Sequence, residues 1–255
     1  MKINLGDIIP TSTLDWSGKV VLVVFTRGCP LRCPYCSNAR FIEVPEDYEP
    51  EDTQKVKDEI LRASKFIDAV VVSGGEPLMQ AAALAEIAAY AKTLGLLMGV
   101  HTNGTNPDRI GELSEKGLLD AVFLDIKAPL ERMAYAMAAG PMDDDSLKAI
   151  TDSLTLCSAL KELGKLVYFE VRTTVFKGIC DTPESIVRIA SAIPMADAYV
   201  IQQGRPEVAM DEQLQKTDAL KRNELQDLAK AAKEAAKGVK IVKVRTHTFG
   251  DEVIN

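Results

Sequence analysis

The chain reads as an α/β fold, a parallel sheet curving into a barrel or an open three-quarter barrel built from six β/α units. Apolar, β-branched runs alternate with helical patterns from residue 19 to residue 237, with short connections between them. Alternation of this kind implies a parallel sheet with right-handed crossovers. The glycine-rich and polar motifs fall just after the apolar runs, on the C-terminal face where α/β barrels carry their sites.

The elements follow in chain order. Residues 1–18 form an N-terminal lead-in, and residues 19–25 an apolar strand that delivers Cys29, Cys33 and Cys36 at its C-terminal end. Residues 52–64 form an amphipathic helix with Val56, Ile60 and Leu61 on one face. A strand at 68–72 runs into Ser73, Gly74, Gly75, Glu76 and Pro77, and an alanine-rich helix follows at 78–94. A third strand at 97–100 ends in His101, Thr102, Asn103 and Gly104, and Pro107 opens the next helix, where its missing N–H costs nothing. A fourth strand at 121–124 leads to Asp125, Ile126 and Lys127. Residues 146–163 are helical, 165–171 a fifth strand ending at Arg172, 183–193 helical, and 198–201 a sixth strand ending in Gln202 and Gln203. Residues 217–237 form the last long helix, and 240–245 one more strand within a C-terminal strand and tail at 238–255. No composition break divides the chain, so residues 1–255 are expected to form a single domain.

With 37 acidic against 30 basic residues the net charge is −7, which argues against a nucleic-acid partner, whose footprint is a basic patch. Aromatic residues are 5% of the chain, too few for a base-stacking surface. No run approaches ~18 uninterrupted apolar residues, so no membrane span is expected. The opening MKINLGDII lacks the apolar core of a secretory signal, and a cytoplasmic location follows. Five cysteines with no paired spacing do not make a disulfide framework.

Cys29, Cys33 and Cys36, in the spacing CxxxCxxC, set three thiolates on one short loop. A structural zinc site wants four protein ligands, and a ferredoxin cluster wants four cysteines. Three thiolates on a [4Fe–4S] cluster leave one iron open to bind and activate a small molecule. A zinc knuckle or a redox CxxC pair is the alternative, and no fourth zinc ligand is evident. Gly74 and Gly75 let a backbone approach a ligand closely, and Glu76 offers a carboxylate to an ammonium group. The same residues also fit a plain strand–helix turn with Pro77 at the first helical position. Asp125 and Lys127 share a face; Lys127 either neutralises a bound anion or makes a solvated salt bridge. Arg172 ends an apolar strand, where its charge needs a partner. His101 is either a ligand contact or a hydrogen-bonded structural residue, while His247 belongs to an exposed tail. Cys157 falls on the apolar face of a helix, where packing explains it. Cys180 is a loop thiol near the mouth.

The cysteine loop resembles the signature of the radical S-adenosylmethionine (radical SAM) superfamily, and residues 73–77 closely resemble its GGEP motif. The resemblance implies a partial (β/α)6 barrel with a lateral opening. It implies that Cys29, Cys33 and Cys36 hold a [4Fe–4S] cluster whose open iron chelates S-adenosylmethionine. Tyr35 then lies against the adenine, and Gly74, Gly75 and Glu76 hold the amino group. Lys127 and Arg172 serve the reacting centre. Asn38, Pro77, His101, Asn103, Asp125 and Gln202 complete the cofactor site. Further matches at 12–19, 102–104, 125–127, 170–174, 202–206 and 244–246 are similar to glycyl-radical-enzyme activating proteins of the anaerobic ribonucleoside-triphosphate reductase type.

The implied reaction is reductive cleavage of S-adenosylmethionine to a 5′-deoxyadenosyl radical that removes a hydrogen atom from a glycine of an anaerobic ribonucleotide reductase. Reduced ferredoxin or flavodoxin is the implied electron donor. Two positions depart from the subfamily pattern: Ser37 replaces histidine, and His101 replaces an aspartate that, with Asp125, helps hold a monovalent cation in relatives. An imidazole there weakens such a site. No ferredoxin-like insert is present, so a second cluster is not expected. Two other readings stand: a radical SAM enzyme acting on a different peptide or a small molecule, and a non-catalytic Fe–S electron carrier or scaffold, which leaves the strand-end motifs unexplained.

Overall fold

The structure, a computed structural model, describes residues 1–254; Asn255, the last residue of the expected tail, lies outside the described residues. The elements in order are β1 (Lys2–Ile3), β2 (Leu5–Ser12), β3 (Val21–Thr26), β4 (Glu51–Asp52), α1 (Thr53–Ala63), β5 (Ala69–Gly74), α2 (Ala81–Thr93), β6 (Leu97–Thr102), α3 (Pro107–Glu115), β7 (Ala121–Asp125), α4 (Arg132–Ala139), α5 (Asp144–Glu162), β8 (Tyr168–Val175), α6 (Pro183–Ser191), β9 (Ala196–Gln203), α7 (Glu212–Gln215), α8 (Arg222–Ala235), β10 (Val239–Thr246) and β11 (Gly250–Val253). One nine-stranded sheet has the order β2-β3-β5-β6-β7-β8-β9-β10-β11, and β1 pairs separately with β4. From β3 to β10 every pairing is parallel. No helix among the described residues is long and apolar enough to cross a membrane.

The strands read as continuous apolar runs because both their faces are covered. Leu22, Val24, Val70, Val72, Val122 and Leu124 point outward to the helices. Val21, Val23, Ala69, Val71, Ala121 and Phe123 point inward, where Trp16 of the lead-in packs on them. Trp16 is 3% exposed. It stands edge-on to Phe123, at 5.6 Å and 77°, and stacks on Tyr168 at 6.2 Å. Gly99 leaves room for it: a Cβ there would sit 3.4 Å from the indole.

Several boundaries differ from the sequence expectation. The sheet is not wholly parallel, because both its edges are antiparallel. The lead-in supplies one edge, β2, with Pro10 where an edge strand tolerates a missing donor. The tail folds back as β11 on β10 and supplies the other. The helix expected at 78–94 begins instead with a tight turn at Pro77–Gln80, capped by Glu76. The helix expected from 217 begins at Arg222, where the Lys221 amide donates to Glu224 Oε2 at 2.6 Å. The fifth strand starts later and runs past Arg172 to Val175, and the sixth contains Gln202 and Gln203. Helix α4 had no counterpart in the sequence pattern.

Candidate active site

The polar strand ends meet around one cavity of about 200 Å³ at the C-terminal face of the sheet. Cys29, Cys33, Tyr35, Cys36, Asn38, Gly74, Gly75, His101, Asn103, Asp125, Lys127, Arg172 and Gln202 all line it. Glu76 and Pro77 do not.

The cysteine loop is held from three sides. The Cys29 amide donates to Ile42 O at 2.9 Å, the Cys36 amide to Cys33 O at 3.0 Å, and the Arg32 amide to Ala139 O at the end of α4 at 2.9 Å. Gly75 locks the loop to β5: its amide donates to Thr26 O at 2.8 Å, and the Glu76 amide to Gly28 O at 2.7 Å. The backbones lie so close that a Cβ on Gly75 would stand 2.1 Å from Gly28 O. Gly74, at φ +115°, is in the left-handed region that favours glycine.

The three thiols are unpaired and border the same cavity. Among the described residues no three cysteine, histidine or acidic side chains converge on one point to hold a single ion. Three thiolates bordering one cavity can ligate three irons of a cluster and leave one iron open to a small molecule. Burial pushes all three thiols up, and the Lys127 ammonium pulls them back toward thiolate. Lys127 is 13% exposed, with Nζ 3.2 Å from Asp125 Oδ2, so the pair is not a solvated surface bridge. Burial works against its charge, but Asp125 and Cys33 outweigh burial and raise its pKa well above the usual lysine value. Tyr135, fully buried on α4, braces this turn: its hydroxyl accepts from the Lys127 amide at 3.2 Å and donates to Asp125 O at 3.5 Å.

Glu76 departs from its expected place. It is 0% exposed, and its carboxylate accepts from the Leu78 amide (3.1 Å), Thr102 Oγ1 (2.8 Å) and the Asn103 amide (2.8 Å). It therefore ties the Gly74–Gly75 turn to the end of β6 from behind the wall, and the glycine backbone alone faces the cavity. Burial, only partly opposed by those donors, raises its pKa to about 7. Pro77, also buried, starts the following turn.

Below the cavity lies a charged layer inside the barrel. Arg172 Nε donates to Glu170 Oε1 at 2.5 Å, and its guanidinium sits 4.5 Å over the Phe123 ring. Arg245 reaches the same Glu170 oxygen at 3.4 Å and also pairs with Asp251. Burial disfavours the Glu170 charge, but the two guanidinium groups outweigh it and lower its pKa. His101 is held neutral, its pKa pushed well below the usual value by burial and by Arg172. Its Nε2 is 3.1 Å from Asp15 O, which only accepts, so that nitrogen carries the proton. Arg172 also donates to Asp15 O at 3.3 Å, so its charge finds the partners that burial demands.

Tyr35 stacks on Phe176 at 5.2 Å, and its buried hydroxyl has no partner among the described residues. Gln202 donates to Thr174 Oγ1 at 3.4 Å. Gln203, which lines the cavity beside it, clasps the loop ends instead: its amide donates to Leu220 O at 2.8 Å and accepts from the His247 amide at 3.1 Å. His247 is exposed and Cys157 fully buried, as expected. Cys180, at φ +57°, donates its thiol to Lys127 O at 3.1 Å. Thr174 and Arg205 lay within the matches at 170–174 and 202–206 without a role assigned to them, while Phe176 and the bracing Tyr135 carried no motif; Phe176 sits one residue past a strand, the one signal that marked it.

The pattern of the radical SAM superfamily matches residues 23–188. A Methanocaldococcus jannaschii protein provisionally named a glycyl-radical enzyme activating enzyme is 34% identical over 249 residues, covering 98% of this chain and 99% of that protein. The pyruvate formate-lyase-activating enzyme of Staphylococcus aureus is 35% identical over 206 residues, covering 77% of this chain and 78% of that one. In fold, the chain is similar to Streptococcus suis SuiB bound to its precursor peptide SuiA, with a TM-score of 0.65 at 17% identity over 90% of this chain and 49% of SuiB. Three thiols and a glycine backbone facing one cavity, on a mostly parallel sheet, match what this superfamily builds for a [4Fe–4S] cluster and S-adenosylmethionine. The chain belongs to the radical SAM superfamily and is a radical SAM enzyme.

Proposed function

We propose that this enzyme activates a glycyl-radical enzyme, and that its target is an anaerobic ribonucleotide reductase. The observation that carries the reading is the meeting of Cys29, Cys33 and Cys36 with the Gly74–Gly75 backbone and Lys127 around one cavity. The full-length likeness to the Methanocaldococcus jannaschii protein supports the glycyl-radical class. The ribonucleotide reductase target rests on the subfamily motifs at 102–104, 125–127, 170–174 and 202–206.

Cys29, Cys33 and Cys36 would hold the cluster, and the Gly74–Gly75 backbone that borders the same cavity the amino-acid end of S-adenosylmethionine. Lys127, its charge fixed by Asp125, sets a positive potential beside the thiolates and the carboxylate. Tyr35 and Phe176 offer a stacked aromatic wall to the adenine. When bound, the cluster and S-adenosylmethionine supply the 5′-deoxyadenosyl radical that removes a hydrogen atom from the glycine Cα. The apolar layer of Trp16 and Phe123 keeps water from entering beneath. Reduced ferredoxin or flavodoxin would supply the electron in a reducing cytoplasm.

The test is anaerobic. Reconstituted enzyme, dithionite and S-adenosylmethionine should yield 5′-deoxyadenosine in wild type and none in Cys33→Ala. Adding an anaerobic ribonucleotide reductase should yield a glycyl radical by EPR. The 206-residue likeness to the Staphylococcus aureus enzyme favours a second target, pyruvate formate-lyase. A radical on that protein, with none on the reductase, would replace the first reading.

A further inference from the structure

One polar side chain points at a cluster thiol for a reason its surroundings dictate. Asn103 Nδ2 lies 3.6 Å from Cys29 Sγ, within reach of an N–H···S hydrogen bond. The amide cannot turn over. Its Oδ1 accepts from the Thr105 amide at 3.0 Å and from Thr105 Oγ1 at 2.7 Å. A backbone N–H only donates, so the oxygen must face Thr105 and the nitrogen must face the sulfur. The backbone is equally fixed: the Asn103 amide donates to Glu76 Oε2, and the following Gly104 amide to Thr102 Oγ1 at 3.1 Å. Asn103 is 6% exposed, so water competes little for this donor.

We propose that Asn103 sets the reduction potential of the cluster by donating this hydrogen bond to the Cys29 sulfur. The inference rests on the reading above that Cys29 is a cluster ligand. Adding an electron to an Fe–S cluster increases the negative charge on its sulfurs. A fixed N–H dipole aimed at one of them therefore stabilises the reduced form more than the oxidised form. Hydrogen bonds to the sulfurs are among the terms that set such potentials, and groups that orient or polarise a ligand act as strongly as many ligands do. Asn103 raises the potential and eases electron entry. This also gives a physical role to the buried Glu76, which anchors the backbone from which the donor projects.

The experiment is an EPR-monitored redox titration of reconstituted holoenzyme without S-adenosylmethionine, with proton ENDOR in H2O and D2O. Asn103→Ala removes the donor without adding charge. Its reduced-to-oxidised ratio at a fixed ambient potential should fall about tenfold, a midpoint about 59 mV lower for a one-electron couple. One exchangeable proton coupling should disappear with it. Ser153→Ala loosens the same turn from behind, through loss of its 2.7 Å bond to Gly104 O, and should keep the wild-type potential. Asn103→Asp keeps the Thr105 contacts should the alanine variant fail to fold, and it too should lower the midpoint. A fully assembled Asn103→Ala cluster with unchanged potential and couplings overturns the proposal. A wild-type chain whose iron and sulfide survive Cys29→Ala unchanged overturns the ligand reading itself, and the proposal with it.

Discussion

Replacing Gly75 by alanine adds one methyl group at the tightest point of the site. Gly75 does not lie at positive φ, so a side chain there meets no left-handed strain and the cost is one of close contact. The new Cβ would meet Gly28 O at 2.1 Å, Gly28 C at 2.7 Å and Phe41 O at 2.9 Å, all backbone atoms that no rotamer change can move. Reaching 3.0 Å requires the turn after β5 and the loop that carries Gly28 after β3 to separate by about 0.9 Å. That stretches the 2.7 Å bond from the Glu76 amide to Gly28 O and displaces Cys29, the next residue. Overpacking of this kind costs about 2 kcal/mol, which lowers Tm by about 4–8 °C in a chain of this size. The assay is anaerobic thermal unfolding, with iron and sulfide content and S-adenosylmethionine titration on the same preparations. We expect lower Tm, lower cluster occupancy and at least about tenfold weaker S-adenosylmethionine binding, equivalent to about 1.4 kcal/mol. Gly111→Ala, in helix α3 with its nearest neighbour 3.8 Å away, should instead stabilise by about 0.5–1 kcal/mol. Wild-type Tm and iron content in Gly75→Ala would refute the argument that the glycine exists to let two backbones meet.

Other outcomes follow from the same geometry. Glu170→Leu leaves Arg172 and Arg245 buried without their shared carboxylate and should cost about 3–5 kcal/mol in denaturant unfolding; Arg245→Met leaves the Glu170–Arg172 pair intact and should cost less. Glu76, raised from its ordinary 4.5 to about 7 in the fold, contributes stability that is full below the unfolded value and is lost as pH rises through about 7. Relative to wild type, Glu76→Gln should therefore gain stability progressively between about pH 4.5 and about pH 7; a difference independent of pH in a stability series would contradict this. Cys157→Ala and Cys180→Ala should keep full cluster absorbance, while Cys33→Ala loses it and all 5′-deoxyadenosine formation.

The parallel core was legible because β/α alternation and doubly buried strands leave a strong apolar pattern. The cavity wall was legible because its residues sit at strand ends. What escaped is tertiary in origin. Strand β2 carries no clean alternation, since its partner-side residues Leu5 and Ile8 are interrupted by a register shift and by Pro10. Helix α4 is short, and its meaning lies in where Tyr135 points. The resemblance of residues 73–77 to the GGEP motif implies that Glu76 holds the cofactor's amino group; the three donors that occupy it come from Leu78, Thr102 and Asn103, two of them at another strand's end, and no local pattern marks them. Arg172 was seen to need a partner, yet Glu170, two residues before it, was not singled out.

The interior layer beneath the cavity joins residues from opposite ends of the chain. Ser17 donates to Asp251 across 234 positions at the exposed rim of this layer, and Arg245 closes on Glu170 within it. Closing so long a loop carries an entropy cost that local contacts cannot offset early, and a domain folds as a unit. The floor under His101 and Arg172 therefore closes only when both ends of the chain are in place, so a truncation at either end reaches the site from beneath.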